Sequence, residues 1–326
     1  NPVKFYAYLL TPKSFADALS RFGVEKFSAL HQPFDPERME AMMQAYGALL
    51  DEHPPRATVV TGDVDSTVAC ALCAFQRQVP VVHVEAGLRS FDRSMPEETN
   101  RILTDAVSDL LLVSEPSGVQ NLQREGVEAG RVALVGNVMI DTLKRHLEQA
   151  RRQMISRRFG LSDGRYAYVT LHRPGNVDDP EVLEMFLRCF SDLSGRMPLI
   201  FSVHPRTAGA MRASGLDHVL EDSPGVRAVQ PLSYVQNLGL MSSAGVVLTD
   251  SGGIQEETSV LGVPCITLRR STERPITLTH GTNVLAPGHP DAVVEAFQRA
   301  TCGPRPSPAH IPGWDGRAAS RAVDLI

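Results

Sequence analysis

The sequence predicts an α/β protein with two Rossmann-like lobes that face a central cleft. Three observations support this fold class. Short apolar runs alternate with amphipathic stretches, which is typical of βαβ units and a parallel sheet. The alternation stops once, near Gly136, and then begins again. At 326 residues, the chain also exceeds the size of about 250–300 residues at which a single hydrophobic core stops growing.

The first half of the chain contains four apolar runs, each followed by a helical pattern. Such runs predict buried strands of a parallel sheet. The predicted strands cover residues 57–61, 80–84, 109–113 and 131–135. We therefore expect the N-terminal lobe at residues 1–136.

The second half repeats the pattern after a charged helix predicted over residues 140–159. Five further strands are predicted at residues 166–171, 199–203, 226–229, 245–249 and 264–268. The second lobe is expected at residues 137–311. The Pro- and Gly-rich stretch at 303–316 predicts a linker, and residues 317–326 predict a short helix. We expect the segment 312–326 to return to the N-terminal lobe.

Composition excludes several classes of partner. The net charge of −5 argues against nucleic acid or an anionic membrane as the main partner. No apolar run approaches the roughly 20 residues of a membrane span, and no signal core follows the N-terminus, so we expect a cytoplasmic chain. Cys70 and Cys73 form a CxxC without a second pair at zinc spacing, which favours a packed helix face over a metal or redox site.

The segment 245–257 indicates a place that can hold a phosphate. A strand of β-branched and apolar residues runs directly into Ser251, Gly252 and Gly253, which open the next helix. A helix start carries unpaired NH groups and partial positive charge, and glycines let an anion approach the backbone. Glu257, about one turn further on, is placed to accept hydrogen bonds from sugar hydroxyls. The alternative is an ordinary strand, turn and capped helix.

Polar residues follow the predicted strands of both lobes. In the first lobe, Asp63 and Glu85 end two strands and Glu97 lies beyond, where carboxylates can converge as acids and bases, or can simply cap helices. The second lobe places a histidine and an arginine after each of two consecutive strands, His172 with Arg173 and His204 with Arg206. Histidine moves protons near neutral pH and arginine binds phosphate bidentately. These clusters predict an anionic ligand opposite carboxylates.

Four motifs, in register along the chain, resemble the non-hydrolysing UDP-N-acetylglucosamine 2-epimerases. They are His83-Val84-Glu85-Ala86-Gly87-Leu88-Arg89, Pro96-Glu97-Glu98, the segment from Asp250 to Glu257, and Thr272-Glu273-Arg274-Pro275. The resemblance runs from about Gly62 to the end of the chain. It implies two lobes in the GT-B arrangement, UDP bound mainly by the C-terminal lobe, and a homodimer.

The resemblance also implies a reaction and its residues. The family removes the C2 proton of UDP-GlcNAc with loss of UDP, forms a 2-acetamidoglucal, and adds UDP back to give UDP-ManNAc, without a cofactor or metal. The implied catalytic residues are Asp63, Glu85, Glu97 and His172. The implied UDP contacts are Ser251, Gly252, Gly253, Glu257 and Arg274. We further assign to substrate binding Arg89, Arg101, Arg173, His204 and Arg206.

The resemblance fails at the N-terminus. Residues 1–30 contain no counterpart of the family's Gly-Thr-Arg-Pro-Glu turn, and residues 14–24 match the helix that normally follows the second strand. We therefore expect the N-terminal lobe to lack its first strand. Residues 10–14 replace the family's Gln-His motif, which argues against activation by substrate.

Several alternatives stay open at the level of sequence. The sugar is UDP-GlcNAc or a close relative such as a UDP-2,3-diacetamido uronic acid. Other readings are a hydrolysing epimerase that releases UDP, a GT-B glycosyltransferase, and a UDP-sugar-binding relative without catalysis.

Overall fold

The computed structural model describes residues 36–93 and 95–326. The predictions about the missing first strand, the helix over residues 14–24 and the Gln-His motif lie outside the described residues. Contacts divide the chain into two compact units. Unit 1 comprises Asn1–Val138 with Arg317–Ile326, and unit 2 comprises Met139–Gly316.

In its described residues, unit 1 has a parallel sheet of four strands with the order β1-β2-β3-β4, flanked by helices. Its elements are α1 (Pro36–Glu52), β1 (Thr58–Thr61), α2 (Asp65–Gln76), β2 (Val81–Ala86), α3 (Pro96–Val107), β3 (Leu110–Val113), α4 (Pro116–Arg124) and β4 (Val132–Leu134). Proline fills the first position of both α3 and α4, where its missing NH costs no helical hydrogen bond. The sheet's apolar residues pack against α2, which buries Cys70 and Cys73, and burial raises the pKa of the Cys70 thiol.

Unit 2 is a parallel sheet of six strands with the order β10-β9-β8-β5-β6-β7. Its elements are α5 (Val138–Arg152), α6 (Ile155–Arg158), β5 (Ala167–Thr170), α7 (Pro174–Val177), α8 (Pro180–Ser194), β6 (Leu199–Ser202), α9 (Pro205–Ser214), α10 (Asp217–Glu221), β7 (Val226–Val229), α11 (Tyr234–Ser243), β8 (Val246–Thr249), α12 (Gly252–Leu261), β9 (Cys265–Thr267), α13 (Ile276–Thr279), β10 (Asn283–Leu285) and α14 (Pro290–Cys302). All four residues of both β6 and β8 are buried, as expected of strands covered on both faces.

The last helix, α15 (Ala318–Val323), belongs to unit 1. Ala322 packs in one cluster with Val82, Leu112 and Val135, and Arg321 Nε donates to the Val135 carbonyl at 2.6 Å. The final ten residues therefore extend the core of unit 1.

The prediction of two parallel α/β lobes is confirmed. The ten strands of the described residues include all nine predicted ones, with ends that differ by at most two residues. Sequence analysis missed β10, a three-residue strand at the sheet edge that begins with the polar Asn283. So short a run carries no periodicity that could distinguish it from a loop.

Two predictions about irregular segments were wrong. The single helix predicted over residues 140–159 is two helices, because Met154 adopts a left-handed backbone with φ 44° between α5 and α6. The predicted linker at residues 303–316 is packed chain: Ile311 and Trp314 are buried against Ile140 in unit 2. None of the helices in the described part of the chain combines the length and apolarity that crossing a membrane requires.

Candidate functional site

Two predicted carboxylates lie at the carboxyl edge of the unit 1 sheet. Thr61 of β1 pairs with Val84 of β2, so Asp63, two residues after β1, and Glu85, near the end of β2, lie at the same edge of the sheet. Both residues are half-buried. The fold therefore gives both carboxylates the position that sequence analysis predicted for them.

The backbone at Glu85 is strained. Its φ is 75°, a left-handed value that costs a non-glycine residue on the order of 1–3 kcal/mol. The register between β2 and β3 shifts at this point, between Val84 and Ala86. Such a bulge redirects a side chain that regular alternation would have pointed elsewhere.

Helix α3 carries the third predicted carboxylate, Glu97, and a second acid beside it. Glu97 is half-buried in the first turn, whereas Glu98 is buried. Glu98 accepts hydrogen bonds from Ser90 N, Ser90 Oγ and Phe91 N at 2.9–3.0 Å. Burial opposes its charged form, but the hydrogen bonds from Ser90 and Arg101 outweigh burial and lower the pKa of Glu98. Glu98 thus organises the loop before α3.

The two unit 1 arginines assigned to substrate binding are both buried and ion-paired within the unit. Arg101 contacts the Asp63 carboxylate and lies 2.7 Å from Glu98 Oε2. Arg89 contacts Asp105 at 2.7 Å and Glu125 at 2.6 Å. Only 2% of Arg101 and 3% of Arg89 is exposed, so these guanidinium groups are committed to carboxylates of their own unit.

In unit 2, the Asp250 carboxylate holds the predicted catalytic His172. His172 Nδ1 lies 3.0 Å from Asp250 Oδ1, and the backbone NH groups of His172 and Arg173 donate to the same carboxylate. Burial opposes the charge on Asp250, but the His172 contacts and the backbone donors outweigh it, and the pKa of Asp250 is lowered. The His172 ring lies 5.2 Å from that of His204, between centroids. The fold thus brings together the histidines that end β5 and β6.

The glycine turn forms as predicted, with Ser251 before the ten-residue helix α12. A Cβ on Gly252 would lie 2.5 Å from Glu273 Oε1 and 2.9 Å from Arg274 Nη1, so charged side chains pack directly on this residue. A Cβ on Gly253 would meet nothing closer than Met139 Cε at 3.7 Å. The helix start thus has one crowded glycine and one with space beside it.

Three arginines surround two buried carboxylates beside this helix start. Arg274 lies 2.9 Å from Glu256 and 2.8 Å from Glu273. Arg269 lies 2.8 Å from Glu273, and Arg173 lies 3.9 Å from it. Burial would raise the pKa of Glu273, but the three guanidinium groups hold it well below its usual range. Arginine side chains beside a helix start form a setting that suits an anion.

Glu257 is a buried acid whose pKa is raised, unlike those of Asp250 and Glu273. The Tyr234 hydroxyl donates a hydrogen bond to Glu257 Oε1 at 2.8 Å. Burial raises the pKa of Glu257 to about 7, and the Tyr234 hydrogen bond opposes that shift only in part.

The remaining predicted residues have roles near the surface. His204 caps α9, where its Nδ1 accepts from Arg206 N at 3.2 Å. Arg206 Nε donates to Asp178 Oδ1 at 2.8 Å. Sequence analysis assigned no role to several side chains that hold the predicted ones in place. They are His83, Asn100, Asp105, Asp250, Arg269 and Glu273. His83, Asp250 and Glu273 lie within the quoted motifs, and that position was the available signal for them. Within residues 36–93 and 95–326, no group of three His, Cys, Asp or Glu side chains is placed to hold a metal ion.

Fold and site together define an α/β protein of two Rossmann-like lobes, one with carboxylates at its sheet edge and one with a helix start surrounded by arginines. Residues 35–326 match the family model described as UDP-N-acetylglucosamine 2-epimerase. The chain belongs to the UDP-N-acetylglucosamine 2-epimerase family.

Curated relatives support this membership. The UDP-N-acetylglucosamine 2-epimerase of Methanococcus maripaludis is 36% identical over 290 residues, which are 87% of this chain and 78% of the relative. The UDP-2,3-diacetamido-2,3-dideoxy-D-glucuronate 2-epimerase of Pseudomonas aeruginosa is 37% identical over 288 residues, again 87% of this chain and 78% of the relative.

Among solved structures, the chain is similar to Methanocaldococcus jannaschii UDP-GlcNAc 2-epimerase in complex with UDP-GlcNAc and UDP. The TM-score is 0.84 at 34% identity, and the match covers 91% of this chain and 83% of the other.

Proposed function

We propose that this chain is a non-hydrolysing 2-epimerase that interconverts UDP-GlcNAc and UDP-ManNAc. Membership in the family supports an isomerase acting on a UDP-sugar. The observation that carries the mechanism is the division of charge between the units. Unit 1 has carboxylates for proton transfer at its sheet edge, and unit 2 has an arginine-rich helix start suited to a diphosphate.

In the proposed reaction, a carboxylate removes the proton on C2 while the bond between C1 and the UDP oxygen breaks. The electron pair of the C2–H bond forms the C1–C2 double bond of 2-acetamidoglucal, and the UDP oxygen leaves with the other pair. UDP then adds back to C1 while a proton reaches C2 from the opposite face. We assign proton transfer to Asp63, Glu85 and Glu97.

The proposed role of unit 2 is to bind UDP and stabilise it as a leaving group. The diphosphate accepts hydrogen bonds from the NH groups of Gly252 and Gly253 and from Arg173 and Arg274, with His172 beside it. Glu257 accepts from the ribose hydroxyls. This assigns UDP binding to the lobe predicted at residues 137–311 and proton transfer to the lobe predicted at 1–136.

A second candidate substrate is a UDP-2,3-diacetamido uronic acid. It is favoured by the Pseudomonas aeruginosa relative, whose identity of 37% is within one percentage point of the 36% of the Methanococcus maripaludis enzyme. The two substrates differ at C3 and C6, so one assay with each UDP-sugar separates them.

The test is proton NMR of the protein with UDP-GlcNAc in deuterated water. We expect loss of the C2 proton signal and growth of UDP-ManNAc signals, while free UDP does not accumulate. Accumulation of UDP with free 2-epimer would identify a hydrolysing enzyme instead. No exchange with either UDP-sugar, in a sample that binds UDP by calorimetry, would leave a binding protein without catalysis.

We also propose a homodimer, on the resemblance alone, and light scattering after gel filtration measures it. The predicted cytoplasmic location stays a prediction.

A further inference from the structure

Unit 1 contains a buried histidine–carboxylate pair to which the proposed reaction assigns no role. The ring of His83, in β2, is wholly buried, and Asp105, in α3, is 2% exposed. His83 Nδ1 lies 2.6 Å from Asp105 Oδ1, and His83 Nε2 lies 3.0 Å from the carbonyl oxygen of Gly62.

Both ring nitrogens of His83 therefore face hydrogen-bond acceptors. A neutral imidazole carries one NH and can donate only one of these two bonds, whereas an imidazolium donates both. Burial opposes the charged ring, but the Asp105 carboxylate and the Gly62 carbonyl outweigh burial, so the pKa of His83 is raised. Burial likewise opposes the charge of Asp105, and the contacts with His83 and Arg89 outweigh it and lower the pKa of Asp105.

The pair connects the two segments that carry the predicted carboxylates. Through Gly62, whose backbone is left-handed with φ 72°, His83 holds the residue directly before Asp63. The second oxygen of Asp105 accepts from Gly87 N at 3.0 Å, two residues after the strained Glu85. The His83–Asp105 pair thus contacts the backbone one residue before Asp63 and two residues after Glu85.

Further side chains contact the same two segments, at Asp63 and at Gly87. Asn100 Nδ2 donates to the Asp63 carbonyl at 3.0 Å, and Arg101 contacts the Asp63 carboxylate. On the other segment, Asn121 Nδ2 donates to the Gly87 carbonyl at 2.9 Å. Each carboxylate-bearing segment is therefore fixed at more than one backbone atom.

We propose that His83, whose two ring nitrogens both face acceptors, and Asp105 are positioning residues that fix the separation of Asp63 and Glu85 during proton transfer. The inference rests on the proposed function, because it takes Asp63 and Glu85 as the reacting groups. Neither His83 nor Asp105 touches the substrate. Both act through the backbone of Gly62 and Gly87.

The first measurement is nitrogen NMR of the full chain labelled with ¹⁵N-histidine. At about pH 8, well above the ordinary histidine pKa of about 6.5, we expect one histidine whose two ring nitrogens are both protonated. The signal should be absent from His83→Gln. A His83 ring with a single proton at this pH would overturn the inference.

The second measurement compares His83→Gln and Asp105→Asn with the control Asp109→Asn. Asp109 accepts from Val81 N at 2.8 Å, at the opposite end of β2, so exchanging its carboxylate for a neutral amide weakens a contact of unit 1 without reaching the carboxylate segments. We expect kcat for C2 exchange to fall about 10²-fold in the first two variants, as for a small misplacement of reacting groups. The Kd for UDP should stay unchanged in both, and kcat should stay unchanged in Asp109→Asn.

A fall in kcat no larger than that of Asp109→Asn at equal loss of thermal stability would overturn the positioning role. If the wild-type chain itself exchanges no C2 proton, the proposed function has failed. The nitrogen NMR measurement then still tests the charge state of His83, and a ring with a single proton overturns the inference.

Discussion

The arginines predicted to bind substrate lie in different environments in the two units. In unit 1, Arg89 and Arg101 are each enclosed by two carboxylates of the same unit. In unit 2, Arg173 and Arg274, together with Arg269, lie around Glu256 and Glu273 beside the start of α12. Arginines enclosed by carboxylates fix side chains, whereas arginines beside a helix start can bind an anion.

This difference assigns the two units to different steps of the proposed reaction. Unit 1 has an excess of acids, Asp63, Glu85 and Glu97 among them, beside arginines that hold them in place. Unit 2 combines its arginines with a helix start, whose partial positive charge adds to theirs. Substitutions in unit 1 should therefore change turnover, and substitutions in unit 2 should change UDP affinity.

The largest expected effect comes from Asp63→Asn. Removing a general acid or base costs about 10²–10⁴-fold in rate, so we expect kcat for C2 exchange to fall about 10³-fold. The Kd for UDP, measured by calorimetry, should not change. Asp65→Asn is the matched control, because Asn keeps the oxygen that accepts from Asn100 Nδ2 at 3.1 Å. Equal losses in both variants would remove Asp63 from the chemistry.

The next effect concerns Glu257 and the stability of unit 2. Its usual pKa of 4.5 is raised to about 7, so the folded chain binds more protons than the unfolded chain between these values. The contribution of Glu257 to the free energy of unfolding should therefore fall as pH rises from 4.5 to 7, by about 3 kcal/mol, and be level above it.

Glu257→Gln should abolish this dependence and raise the free energy of unfolding at about pH 8 by a similar amount. Urea denaturation across the pH range measures it. The control is Glu221→Gln, an exposed acid at the end of α10, which should leave the pH dependence unchanged. A pH slope between 4.5 and 7 that is the same in Glu257→Gln as in the wild type would contradict the account.

The smallest effect tests the arginine comparison directly, with Arg101→Lys and Arg173→Lys. Lysine keeps the charge but loses the planar fork that holds two acceptors. We expect Arg101→Lys to lower kcat about 10-fold at unchanged Kd, and Arg173→Lys to raise the Kd for UDP about 10-fold, the range of one charged hydrogen bond. If both variants change only kcat, or both change only the Kd for UDP, the assignment of turnover to unit 1 and UDP binding to unit 2 is wrong.

Much of the fold could be predicted because its determinants are local. Runs such as Leu110–Val113 are too apolar and too short for anything but buried strands, and a proline or glycine marks where the next helix begins. The prediction failed where local signal is weak: at the edge strand Asn283–Leu285, and at residues 303–316, whose proline content concealed the buried Ile311 and Trp314.

The sequence by itself determined the order of strands and helices, the glycine turn before α12 and the motifs that identify the family, because hydrogen bonding and side-chain periodicity act between near neighbours. Only the tertiary structure decided what each charged residue does. Arg89 pairs with Glu125, 36 positions away, and His83 with Asp105, 22 positions away. Folding buries these opposite charges together, because a buried charge without a partner is costly. Partners so far apart in the sequence are not marked by any periodic pattern of residues.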